Sequence, residues 1–221
     1  MMNILSFDCA IKRLGICYVR ANTCVKQDIL KELEMVKTGQ DPKTHYENIV
    51  KLIDNAVVPI YMENVDLTPG KKVGAVDQVG LANALCNALT IIDNIADQCD
   101  TVLIECQPNN LNNRSSIICG QLLYHYILRK NAGLCTRVEL VSANLKNKVS
   151  LGENMDLSTF KKRNYASNYT CNKAHSRENF KHWASTFNVD LKKIRRPLTD
   201  VADAFMQIMG WLQFTYVVPQ Q

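Results

Sequence analysis

The sequence predicts an α/β chain: a mixed five-stranded sheet, an antiparallel meander followed by parallel strands, flanked by helices on both faces. Three observations predict it. Apolar runs of strand length recur at 4–7, 16–19, 102–104 and 136–143. Between and after them, apolar residues return every three or four positions, the period of a helix packed on one side. The order is strands first and helix–strand alternation afterwards, which makes a sheet of mixed direction.

The elements follow in chain order. "ILSFDCAIKRLGICYV" (4–19) reads as two short strands joined around Lys12–Gly15. "DILKELEMVK" (28–37) is taken as the third strand of the meander. A helix spans about 43–58, with Tyr46, Ile49, Val50, Ile53 and Val57 at helical spacing. Pro59, Pro69 and Gly70 mark 59–73 as an irregular insertion, in which Glu63 and Asp66 are expected to be solvated. A second helix covers about 75–98 and carries Leu81, Leu85, Leu89 and Ile92 on one face. "TVLIECQPNN" (101–110) holds a buried strand, and a helix of about 112–131 closes at Gly133. "TRVELVSA" (136–143) is the fifth strand, followed by a polar, basic loop around 144–172. Helices of about 173–187 and 198–214 complete the chain. No repeat or linker divides its 221 residues, so a single domain is expected.

Composition narrows the classes. Apolar residues make up 47%, too many for general disorder, and no apolar run approaches the length needed to span a bilayer. No secretory signal precedes the first strand. The nine cysteines are odd in number and irregularly spaced. Cys9, Cys17, Cys106 and Cys119 lie in apolar segments, which reads as buried free thiols of an intracellular protein in a reducing compartment. His45, His125, His175 and His182 form no zinc-ligand spacing. The net charge is +5, but 143–197 carries eight Lys and four Arg against four acidic residues, a net +8 that leaves the remainder at −3. A basic third on a slightly acidic body points to a polyanion, most often nucleic acid. Lys161, Lys162, Arg163, Lys192, Lys193, Arg195 and Arg196 are the expected phosphate contacts. Among the aromatics interleaved with these cations are Tyr165, Tyr169, Phe180 and Trp183; one of them is able to stack on an unpaired base, while Phe180 and Trp183 at helical spacing suit a core.

Two strands end in a carboxylate, Asp8 and Glu105. An ionised carboxylate in an apolar sheet is costly unless it is paired or coordinates a metal. If the two strands are parallel neighbours, both emerge at one sheet edge, where open α/β sheets bind their ligands. The last helix adds Asp200 and Asp203, three residues apart and on one face, with Gln207 continuing that face. Each acid alone has a plain structural reading, such as a helix cap at Asp200 or a Lys12 partner for Asp8. Four together repel unless a cation joins them. Such hard oxygen ligands suit Mg²⁺ or Mn²⁺, and two such ions support in-line attack at phosphorus, one activating water and one stabilising the leaving 3′ oxygen.

"ILSFDCAIKRLGICYV", "VLIECQP" and "LTDVADAF" together resemble the RuvC-like Holliday-junction resolvases, nearest to the mitochondrial and poxvirus-type branch. That branch has a D-x-G-x-K-N-x-A-like first motif, an I-E-x-Q-P second motif and a D-x-x-D-A final helix. Here Ala10 stands for the usual glycine and Arg13 for the usual asparagine. The resemblance implies an RNase H-like fold, a homodimer, and Mg²⁺-dependent cleavage of four-way DNA junctions. It assigns Asp8, Glu105, Asp200 and Asp203 as metal ligands, and "SANLK" looks like the family's pattern for a further catalytic lysine. Lys146 is preferred for that role and Lys148 is the alternative. Leu81, Leu85 and Leu89 are candidates for a dimer face. The rival readings are an RNase H-fold nuclease for RNA–DNA hybrids or flaps, and an inactive junction binder. An actin-like ATPase needs Gly-rich phosphate loops that neither 8–15 nor 105–112 supplies. Neither a membrane nor a small-molecule cofactor is expected.

Overall fold

The structure is a computed structural model; it describes residues 1–38, 42–72, 75–107, 114–149, 157–163, 165–186 and 188–216. Five strands form one sheet: β1 (Met2–Cys9), β2 (Arg13–Ala21), β3 (Val57–Asp66), β4 (Cys99–Cys106) and β5 (Cys135–Ser142). Their order is β3-β2-β1-β4-β5, with β1–β2 and β2–β3 antiparallel and β1–β4 and β4–β5 parallel. The expected meander and parallel extension are both present.

Two boundaries differ from the sequence reading. Residues 28–37 are not a strand but most of helix α1 (Val25–Lys37), which pairs with α2 (Pro42–Ala56). Its Lys, Glu, Leu and Met residues are strong helix formers, and burial of Ile29 against the core supplies the packing that fixes it. The third strand is instead β3, inside the stretch expected to be an irregular insertion. Pro59 misled that reading. It sits on the outermost strand, where a missing N–H costs no ladder bond, beside a register shift opposite Tyr18 and Val19. Only 67–72 of that stretch is loop among the described residues. Glu63 and Asp66 are correspondingly held: Glu63 accepts a hydrogen bond from the Tyr61 hydroxyl at 2.6 Å, and Asp66 accepts one from the Thr68 amide at 2.9 Å.

The remaining helices are α3 (Gln78–Ile95), α4 (Arg114–Asn131), α5 (Leu157–Lys161), α6 (Asn168–Thr186) and α7 (Thr199–Trp211), with a 3₁₀ turn at Leu145–Lys148 and a π-helical turn at Leu212–Tyr216. The basic stretch 144–172 is therefore partly helical rather than one loop. Alternation along the strands splits the core in two. Leu5, Phe7, Ile16, Val102 and Ile104 pack under α3 and α4, and Ile4, Val19 and Leu103 pack under α6 and α7. Leu81, Leu85 and Leu89 belong to the first of these cores, so they are not surface residues available to a second copy.

Two glycines set how closely α7 lies. A Cβ on Gly15 of β2 meets the Asp200 carbonyl oxygen at 2.2 Å, and one on Gly210 meets the Leu145 side chain at 2.9 Å. Any larger residue at Gly15 pushes the start of α7 off the sheet. All nine cysteines are free thiols; Cys9, Cys17 and Cys119 are buried as expected, whereas Cys106 is exposed.

Candidate active site

Phe7 pairs with Ile104 in the parallel β1–β4 ladder, so the next residues, Asp8 and Glu105, leave the sheet side by side at its carboxyl edge. Both side chains share the face covered by α7. That helix brings Asp200 and Asp203 over the same edge, because Gly15, the ladder partner of Asp8, leaves room for its first turn. The 3₁₀ turn after β5 carries Lys146 into the group, and α6 carries Lys173. A cleft of about 400 Å³ opens over them.

The geometry is that of four carboxylates held by two ammonium groups. Lys146 Nζ donates to Asp8 Oδ1 at 3.3 Å, to Glu105 Oε1 at 2.8 Å and to Asp203 Oδ2 at 2.8 Å. Lys173 Nζ lies 3.5 Å from Asp8 Oδ2, 3.3 Å from Asp200 Oδ1 and 2.5 Å from Asp203 Oδ2. Asp8 therefore faces one ammonium with each of its oxygens. Asp8, Glu105, Asp203 and Lys146 are all buried. Four carboxylates against two ammoniums leave an excess of negative charge in a dry place, and the pKa shifts express it. Burial pushes Asp8 up, but Lys146 and Lys173 more than reverse this and hold it at about 2. Burial and the neighbouring Asp8 push Glu105 up to about 8, so the pair shares one proton. Asp200 is raised by burial. Both lysines are held strongly protonated: the carboxylates outweigh a burial effect of opposite sign.

Of the expected site residues, the structure brings Asp8, Glu105, Asp200, Asp203 and Lys146 together. Lys148 is exposed and lies 5.9 Å from the Phe214 ring, outside the group. The seven expected phosphate contacts are all exposed, in two places. Lys161 and Arg163 line a polar hollow with Ser167 and Asn168 at the start of α6. Arg195 follows the loop tied down by Asn64 Nδ2, which donates to the Arg195 carbonyl at 2.9 Å. Since Asn64 pairs with Gly15, and Gly15 with Asp8, that loop also lies at the carboxylate end of the sheet.

Lys173 escaped the sequence reading because α6 was started at that residue, which left it looking like a helix terminus. The signal was available one turn on: Lys173, Ser176, Phe180 and Ala184 fall on one helical stripe, and the last three are buried. A lysine heading a buried stripe needs a buried acid. Phe180 and Trp183, weighed above as stacking residues, are fully buried core.

Three buried carboxylates and the half-buried Asp200 are a hard-oxygen donor set, and Asp203 Oδ1 is buried with no hydrogen-bond partner. Among the described residues, no set of three or more His, Cys, Asp or Glu side chains stands assembled for a metal ion, because the ammoniums lie between the carboxylates. The donor set is of a kind that would suit a divalent cation, and the two ammoniums supply positive charge within it.

No family model matches the chain, and no curated protein matches it in sequence. Among solved structures it is similar to the Holliday junction resolvase of fowlpox virus, at TM-score 0.53 and 14% identity, over 96% of this chain and 99% of that one. It is also similar to the yeast mitochondrial Holliday junction resolvase Ydc2, at TM-score 0.52 and 10% identity, over 98% of this chain and 80% of that one. The mixed five-stranded sheet with its flanking helices is thus the RuvC/RNase H-like fold that these Holliday junction resolvases share.

Proposed function

We propose that the chain is a structure-selective DNA endonuclease that resolves four-way junctions by metal-dependent phosphodiester hydrolysis. The observation that carries this reading is the group formed by buried Asp8, Glu105 and Asp203 with half-buried Asp200 at the carboxyl edge of the sheet. Exposed cations stand in two places, at the start of α6 and on the loop that Asn64 ties down, in a fold whose solved neighbours are resolvases. No carboxylate group of this kind is needed to bind DNA; it opposes a phosphate backbone unless cations intervene.

The residues present divide into two cation positions. Asp8 Oδ1, Glu105 and Asp203 surround one ammonium, and Asp8 Oδ2, Asp200 and Asp203 surround the other. Two Mg²⁺ or Mn²⁺ ions held by these sets would supply an activated water and charge stabilisation for the leaving 3′ oxygen. Within that scheme Asp8 and Asp203 would each contribute to both positions. Lys146, with three carboxylates on it, steadies the acids rather than reaching for DNA. The exposed residues Lys161, Lys162, Arg163, Lys192, Lys193, Arg195 and Arg196 hold phosphates on either side of the cleft.

Paired nicks in two opposed strands require two sites in one complex, and a two-fold pair supplies them. Val79, Ile91, Ile95, Tyr124, Ile127 and Leu128 stand exposed on the outer side of α3 and α4, where His125 and Arg129 of α4 bond Asp93 of α3. This apolar face is where the second copy docks, in place of Leu81, Leu85 and Leu89. The protein itself belongs to a reducing, intracellular setting, in keeping with its nine free thiols.

The test is a nicking assay on a mobile four-way junction beside an RNA–DNA hybrid, in Mg²⁺, with sedimentation at micromolar concentration. Paired, ligatable nicks in the junction from a dimer are expected. Faster cutting of the hybrid by a monomer replaces the resolvase with a general nuclease of the same fold.

A further inference from the structure

Tyr169 is the one aromatic residue among the described lining of the carboxylate cleft. It lies on α6 one helical turn before Lys173, and the Lys173 ammonium sits 5.9 Å from its ring centroid. Unlike the other described aromatic residues of the basic segment, it has no core to fill. Phe180 and Trp183 are fully buried, and Tyr165 packs on the small cluster around Phe160. Tyr169 is 69% exposed. An amphipathic ring left in water beside a cation, at the rim of a site with phosphate-binding residues nearby, is suited to a flat, π-faced ligand.

We infer that Tyr169 stacks on an unpaired nucleobase next to the phosphate being cut, with Lys173 below it on the phosphate side. The inference rests on the nuclease reading above and names what that site reads. Stacking is tolerant of sequence, because every base has a π face. Tyr169 therefore distinguishes open from paired DNA rather than one base from another. Inside a duplex the bases are stacked on each other and offer the ring nothing; at a branch point a base is free to turn outward. Selectivity for structure would thus come from one exposed ring fixed, through the helical turn to Lys173, at a constant offset from Asp8, Asp200 and Asp203.

The test uses the full chain carrying Asp8→Asn, so that DNA is bound without being cut, and a four-way junction with 2-aminopurine at the exchange point. Binding should change the 2-aminopurine fluorescence, and adding Tyr169→Phe should preserve that change. Tyr169→Leu and Tyr169→Ala should both abolish it and weaken junction binding about tenfold, the usual loss for one stacked base. Their affinity for plain duplex should stay the same, which also reports that these variants are folded. An unaltered fluorescence response and junction affinity in Tyr169→Ala would overturn the inference and leave the nuclease reading standing. If the unmodified protein neither prefers nor cuts branched DNA, the nuclease reading falls and the inference falls with it.

Discussion

The two faces of the sheet are built from the same strands and do opposite things. Under α3 and α4, successive inward residues of β1 are Leu5, Phe7 and Cys9, all apolar and all buried. Under α7, the alternate residues of the same strand run Ile4, Ser6, Asp8: apolar, then hydroxyl, then charge. α7 mirrors the gradient, from Ile208 through Gln207 to Asp203 and Asp200, and Ser6 donates to Gln207 Oε1 at 3.1 Å across the interface. One face is a stability device from end to end. The other gives up apolar packing toward the carboxyl edge and replaces it with ion pairs, which stabilise far less once desolvation is counted. Function is placed where a hydrophobic face is allowed to turn polar along its length.

Breaking each face should therefore break a different property. The largest effect expected is on cleavage. Asp8→Asn removes one of the two carboxylates, with Asp203, that are common to both cation positions, and should reduce cutting by far more than the roughly 10–100-fold typical for loss of an outer partner of a metal site. Junction binding should survive, since phosphate contacts supply most of the affinity. Robust nicking by this variant in Mg²⁺ would dissolve the distinction between the faces. On the other side, Phe7 is fully buried with its ring 5.4 Å from that of Tyr126. Phe7→Ala should cost about 3–5 kcal/mol of stability, read from urea midpoints. Cleavage per folded molecule should change little at a temperature where the variant remains native.

Gly15 joins the two properties and sharpens the comparison. A methyl group there has to displace the Asp200 carbonyl, so Gly15→Ala should cost on the order of 1–3 kcal/mol as an overpacking change. Because the displaced segment carries Asp200 and Asp203, cleavage should fall about a hundredfold, the scale expected when catalytic groups move by an ångström. Gly210→Ala, whose Cβ meets a Leu145 side-chain carbon at 2.9 Å and the Leu145 carbonyl oxygen at 3.0 Å, should be milder on both counts, since that overlap is much smaller than the 2.2 Å approach at Gly15. Equal losses from the two variants would mean that α7 moves as a whole rather than at its first turn.

The same comparison explains what the sequence revealed. The apolar face was legible because period-two and period-3.6 patterns record burial directly: Leu81, Leu85, Leu89 and Val102 to Ile104 were placed in elements that the structure retains. The carboxylates were legible as strand-end and helix-start anomalies, and Asp8, Glu105, Asp200 and Asp203 do meet. What stayed hidden depended on partners distant in the chain. Lys173 is explained only by acids on β1 and α7, and β3 only by its place at the sheet edge, where Pro59 is tolerated. The dimer candidates failed for a related reason: a leucine stripe records that a helix is covered, not by what, and α3 is covered by its own sheet.

The smallest effect expected is the most diagnostic of the polar face, because removing a site carboxylate should make the protein more stable. Glu105 is raised to about 8 by burial and by Asp8, well above its value in an unfolded chain. A carboxyl group whose native pKa is raised favours the fold while protonated. Its contribution is complete below about pH 4 and is lost as pH rises through the native value. Without added divalent cation, the wild type should therefore lose stability relative to Glu105→Gln between pH 5 and pH 8. Glutamine keeps the carbonyl that accepts from Lys146 and has no proton to give up; its NH₂ replaces the oxygen that accepts from Gln107 Nε2 at 2.8 Å, and the Gln107 amide turns over to present its oxygen instead. Asp8 does not contribute in this window, because its native value of about 2 and its unfolded value both lie below it. Urea titrations of the two proteins at pH 5 and pH 8 measure the difference. Parallel pH dependence would mean that Lys146 and Lys173 already neutralise the group, and that the polar face costs the fold nothing.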